Sequence, residues 1–129
     1  MHRQVVDYAL AKRSCLAQVR AGRTAVAQVC DAGVYLLRAA QFHGESTHEM
    51  CPICRKEPVT LVRWIFGDSL GKASGTARTV EEITRIAAGS EEFTVHVVEV
   101  CRTCHWNHLV QSYVEGLTPR TVRTRRAAK

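Results

Sequence analysis

Residues 93–104 read FTVHVVEVCRTC, a strand that runs straight into a pair of cysteines. Phe93, Val95 and Val97 alternate with Thr94, His96 and Val98, the period-two pattern of a strand with two different faces. Cys101 and Cys104 follow with two residues between them, and the same spacing recurs at Cys51 and Cys54 in CPIC. Cysteines three apart can converge on one ion from a tight turn whose backbone N–H groups donate to the sulfurs. Two such turns supply the four soft ligands of a closed tetrahedral zinc site. Residues 58–66 (PVTLVRWIF) are β-rich and follow the first pair, and residues 108–114 form a third strand after the second. The expectation is a zinc ribbon of about three antiparallel strands, with one structural zinc on Cys51, Cys54, Cys101 and Cys104.

The cysteine pairs are separated by 46 residues, against about 15–20 in compact versions of the motif. Residues 67–79, with three glycines and two serines, account for part of the excess as an inserted loop. Thr79-Val80-Glu81-Glu82 then has the form of a capping box and starts a short helix near 79–89.

Upstream, residues 3–21 predict a helix, with Val6, Leu10 and Ala17 on one face and Gly22 just past its end. Thr24 is placed to cap a second helix over 25–30, Asp31-Ala32-Gly33 forms a turn, and residues 34–42 form a third helix. The fold class is α+β: a helical module at 1–44, a ribbon domain at 45–117 and a basic disordered tail at 118–129.

Several other chemistries use the same residues. Cys101-Arg102-Thr103-Cys104-His105 matches the CxxCH pattern of haem attachment. That chemistry belongs to exported proteins, and no export signal precedes it, so no haem is expected. A redox CxxC depends on a helix N-terminus to depress a thiol pKa, whereas both pairs here adjoin strands. Four cysteines could also hold an iron–sulfur cluster, but turns flanked by strands favour zinc. His43-Gly44-Glu45 with Pro52-Ile53-Cys54 gives only fragments of the zinc deaminase signature, because PCxxC is missing. Cys15 and Cys30 have no CxxC partner and read as small core residues. His105, Trp106 and His108 read as a strand end beside the metal, where an aromatic ring excludes water, rather than as a binding edge.

Composition narrows the partner. The chain has 129 residues and a net charge of +6, but Arg120, Arg123, Arg125, Arg126 and Lys129 supply five of its 18 basic side chains. The other 117 residues carry 13 basic and 12 acidic groups, a net charge of +1. The tail is therefore where nucleic acid could be bound, through phosphates and without sequence preference, although the same residues also suit a solvated end. The helices at 25–30 and 34–42 loosely resemble a helix-turn-helix, with only Arg38 and Gln41 to read a groove; a packed helical hairpin is the better reading. The N-terminus lacks the apolar run of a secretory signal, and no window is long and apolar enough for a membrane span. We expect a cytoplasmic protein without a membrane partner.

RQVVDYAL, YLLRAAQFHGE, CPICRKEPVTLV, FGDSLG, SGTAR and EFTVHVVEVCRTCHWNHL, taken together, resemble a small actinobacterial family of uncharacterised proteins over roughly residues 3–116. The resemblance implies a cytoplasmic protein that binds metal through Cys51, Cys54, Cys101 and Cys104, and implies no activity. The functional expectation is a zinc module that docks onto a protein or nucleoprotein assembly, with the transcription or translation machinery as the leading candidate. Its rivals are a metal-dependent or thiol redox enzyme, and nucleic-acid binding by the tail or by a helix-turn-helix.

Overall fold

Strand propensity and register centre the fold on two neighbouring strands, β3 (Pro58–Phe66) and β5 (Phe93–Val100). They pair antiparallel from Thr60↔Val100 to Phe66↔Thr94. In the computed structural model, which describes residues 2–118, they form the middle of a six-stranded antiparallel sheet. The other strands are β1 (Arg3–Asp7), β2 (Glu45–Met50), β4 (Thr76–Arg78) and β6 (Asn107–Glu115). The order is β1-β6-β5-β3-β2, with β4 also on β3. β2 pairs with the first part of β3 and β4 with Arg63–Ile65, so the two short strands succeed one another along its outer edge. The helices are α1 (Ala9–Arg20), α2 (Val26–Val29), α3 (Val34–His43) and α4 (Val80–Gly89). A 3-10 turn spans Asp68–Ala73.

Alternation on the central strands gives each face its own core. Phe93, Val95 and Val97 of β5 pack with Ile65 of β3, Tyr113 of β6 and Ile83 of α4. Thr79 caps α4 as its sequence requires: its hydroxyl accepts from Glu82 N at 3.2 Å, and its own N–H donates to Glu82 Oε1 at 2.9 Å. On the other face Val62 and Val100 pack against Ala39 and Ala40 of α3 and against Ala77 of β4. A third cluster at one end of the sheet gathers Cys51, Val59, Cys101 and Trp106, with Leu16, Val29 and Cys30 against it.

The antiparallel α+β class stands, with six strands in place of about three. Four local expectations are corrected. Residues 3–7 are a strand rather than the start of a helix. β1 pairs with β6 as an edge strand, kinked by a bulge at Gln4, whose φ is 50°. Leu10 is accordingly exposed, and α1 turns Leu16 towards the cysteine cluster instead. α2 is a single turn that starts at an uncapped Ala25, whose N–H is satisfied by Gln28 Oε1 at 2.9 Å rather than by Thr24. Residues 45–50, expected as a polar link, are strand β2. Gly22 does close α1 in the left-handed region, with φ 76°. The tail residues Arg120, Arg123, Arg125, Arg126 and Lys129 lie outside the described residues.

Candidate metal centre

The two CxxC turns join strands within hairpins: Cys51–Cys54 lies between β2 and β3, and Cys101–Cys104 between β5 and β6. Because β3 and β5 are adjacent, both turns sit at the same end of the sheet. The turns are built alike. Cys51 N–H donates to Glu57 O at 2.9 Å and Arg55 N–H returns to Cys51 O at 3.1 Å; Cys101 N–H donates to Trp106 O at 2.8 Å and His105 N–H returns to Cys101 O at 2.9 Å. The residue after each second cysteine takes a left-handed conformation, Arg55 at φ 55° and His105 at φ 73°. That conformation lets the chain curl around the sulfur and aim its N–H groups inward. Ile53 N–H donates to Cys51 Sγ and Cys104 N–H to Cys101 Sγ, each at 3.4 Å.

The four sulfurs lie within 4.8 Å of one another, and among the described residues they form the group able to hold a metal. Cys51 and Cys104 Sγ are 3.6 Å apart, as are Cys54 and Cys101 Sγ. Tetrahedral zinc with bonds of about 2.3 Å needs sulfurs about 3.8 Å apart, so the donor set, its spacing and its N–H partners fit one such ion. Cys51 and Cys101 are fully buried, and Cys54 and Cys104 half-buried.

The thiols are held unequally. The Lys56 backbone N–H brings the Cys54 thiol down to about 7, so this sulfur ionises most readily. Burial pushes the Cys51 and Cys101 thiols up, and pushes Cys104 up to about 12. Buried thiolates in one place repel each other and lack solvent, and a divalent cation relieves both penalties.

Around the sulfurs the structure places residues whose role the sequence did not define. Cys30 Sγ donates to Cys104 Sγ at 3.7 Å, so this cysteine is more than a small core residue. Burial holds its thiol up, as suits a neutral S–H donor beside a ligand. Trp106 is fully buried, and its indole N–H donates to Glu99 Oε2 at 2.8 Å, while Lys12 Nζ donates to Glu99 Oε1 at 2.7 Å. That chain of contacts ties α1 to the second CxxC turn. The Glu–Trp part had a signal, since Glu99 follows Val97 on the inward face of β5; Lys12 had none. Asn107 Nδ2 to Asp31 Oδ1 at 2.9 Å and Ala32 N–H to His105 O at 3.0 Å fasten the α2–α3 turn to the same place. His108 stacks on Trp106, with ring centroids 5.8 Å apart. His105 stands outside the four-sulfur group.

A family described as DUF5318, of unknown function, matches residues 1–129. The chain belongs to that family. Relatives that are 62% identical over 111 residues, covering 86% of this chain and 81% of their own, are "Uncharacterized protein Mb0050" of Mycobacterium bovis and "Uncharacterized protein Rv0049" of Mycobacterium tuberculosis. No solved structure matches. No helix among the described residues is long and apolar enough to cross a membrane.

Proposed function

We propose that this DUF5318 protein is a structural-zinc module of zinc-ribbon type, and that the ion fixes a small sheet as a docking platform for a macromolecular partner. The observation that carries the reading is the convergence of four cysteine sulfurs from two matching turns within 4.8 Å. Cys51, Cys54, Cys101 and Cys104 would hold the ion, which when bound supplies cross-linking rather than reaction chemistry. Four thiolates leave no open coordination position for water or substrate, which sets the module apart from catalytic zinc sites. A cytoplasmic setting, where thiols stay reduced, is part of the proposal.

Protein purified from its native host should contain about one zinc per chain with a sulfur-only first shell. Cys54→Ser and Cys101→Ser should lose the metal and most of the cooperative unfolding transition, because ion binding is part of the folding free energy. Cys30→Ser should keep the metal, since its thiol stands outside the four-sulfur group. Metal-free native protein, or the visible absorbance of an iron–sulfur cluster, would overturn the zinc assignment. For docking, affinity purification from the host should recover a protein or nucleoprotein assembly, with the transcription and translation machinery as first candidates by analogy with other small rigid ribbons. Failure to recover one, together with rapid alkylation of a cysteine in the zinc-loaded protein, would favour the thiol enzyme instead.

A further inference from the structure

α3 buries Ala39 and Ala40 against the sheet and turns a different stripe outward. Tyr35, Arg38 and Phe42 follow one another at helical spacing, and Tyr35 and Phe42 are 84% and 69% exposed. With His43 and Trp64 they line a groove of about 330 Å³ between α3 and the β3–β4 edge. The aromatic surface continues along β3. A Cβ on Gly75, which lines the groove, would stand 4.0 Å from the Phe66 ring, and Phe66 packs edge-on against His96 with centroids 5.3 Å apart. Four of the chain's eight Phe, Trp and Tyr residues therefore share one surface.

Charge says what fits there. The groove lining includes Arg38 and His43 and no acidic side chain. Arg38 makes no ion pair among the described residues. The chain also delivers more positive charge to this side of the molecule. Leu117 N–H donates to Ser90 O at 2.8 Å and Leu117 bridges to Glu91. Gly67, next to Phe66, packs on Phe93 two residues further along. The body therefore ends at the Phe66 end of the sheet, and residues 118–129 beyond it carry five basic side chains and no acidic one.

We infer that this surface binds single-stranded nucleic acid, with bases stacking on Tyr35, Phe42, Trp64 and Phe66 and phosphates meeting Arg38 and the basic residues after Leu117. Exposed flat rings offer bases a sequence-tolerant platform, and cations between them follow the sugar–phosphate chain. A duplex keeps its bases stacked on each other and offers the rings nothing. An apolar peptide would leave Arg38 and the basic tail without a counterpart. The inference rests on the docking reading above and names the partner's chemistry.

The test is fluorescence anisotropy with the zinc-loaded full chain and labelled 20-nucleotide single strands, a poly-U RNA and a poly-dT DNA, beside a duplex of equal length. Single strands should bind more tightly than the duplex and quench Trp64. Affinity should fall as salt rises. Tyr35→Ala and Phe42→Ala should each weaken binding about tenfold with an unchanged salt slope. Arg38→Gln, or Gln at Arg120, Arg123, Arg125 and Arg126 together, should lower that slope. Zinc content and circular dichroism of each variant separate loss of the platform from loss of the metal centre. Equal binding of the duplex, wild-type affinity in Tyr35→Ala/Phe42→Ala, or Trp64 quenching by a proline-rich peptide without any by single strands would each overturn the inference.

Discussion

Glu99 is 3% exposed and holds two donors at once, the buried indole N–H of Trp106 and the ammonium of Lys12. Its variants separate what each donor contributes. Glu99→Gln keeps an amide oxygen for the indole but gives up the charge that faces Lys12. A hydrogen bond to a charged group contributes about 1.5–3 kcal/mol. The Lys12 side chain is 25% exposed, and water compensates part of that loss, so the expected cost is about 1–2 kcal/mol. Glu99→Leu removes both acceptors. The indole N–H is then buried without a partner, and Lys12 is left beside an apolar surface, which together cost about 3–5 kcal/mol. Lys12→Met combined with Glu99→Leu should recover part of this, because an apolar pair of similar volume tolerates burial. Urea unfolding of the zinc-loaded protein gives these values directly, provided the denaturant slope is unchanged. Since Trp106 O accepts from Cys101 N–H, Glu99→Leu should also weaken metal retention against a chelator. If Glu99→Leu costs no more than Glu99→Gln, the buried contacts add nothing net and the argument fails.

Metal affinity should rise with pH. In the metal-free protein Cys51, Cys101 and Cys104 stay protonated well above neutrality, and each proton must leave as the ion binds. The slope should steepen below about pH 7, where Cys54 also takes up a proton. Chelator competition at pH 6, 7 and 8 measures this, and a flat profile would contradict the assigned ligands. Gly44→Ala should destabilise the protein by about 1–3 kcal/mol, because its Cβ would stand 2.3 Å from both Ala40 O and Thr60 Cγ2. Gly33→Ala, with nothing within 4 Å, serves as the control and should change the melting temperature little.

What could be read from the sequence follows burial. β3, β5 and α4 appear where apolar period and capping chemistry predict them, because each buries one face against a core. β1 and β2 do not, because they are edge strands whose side chains are nearly all exposed. Glu45-Ser46-Thr47-His48-Glu49-Met50 is held by backbone pairing with β3 and by Thr47 Oγ1 donating to Val59 O at 2.6 Å, neither of which leaves an apolar period. The metal-ligand candidates were legible because CxxC spacing is a local constraint that survives any distance between the pairs. Cys30 was not, because 74 residues separate it from Cys104 and only the completed fold sets their sulfurs side by side.

The placing of each CxxC turn inside its own hairpin bears on the order in which the chain assembles. A hairpin closes within about 1–10 μs because its contacts are local. Joining β3 to β5 is slower, since the intervening 26 residues, 67–92, must first be brought round and the entropy of closing that loop precedes any reward. An ion caught by two thiolates of one finished hairpin needs only two more ligands, and these lie on the other. The metal would then act as a matchmaker between two half-sheets that fold separately, and zinc supply would set the rate at which newly made chains mature as well as the stability of the finished product.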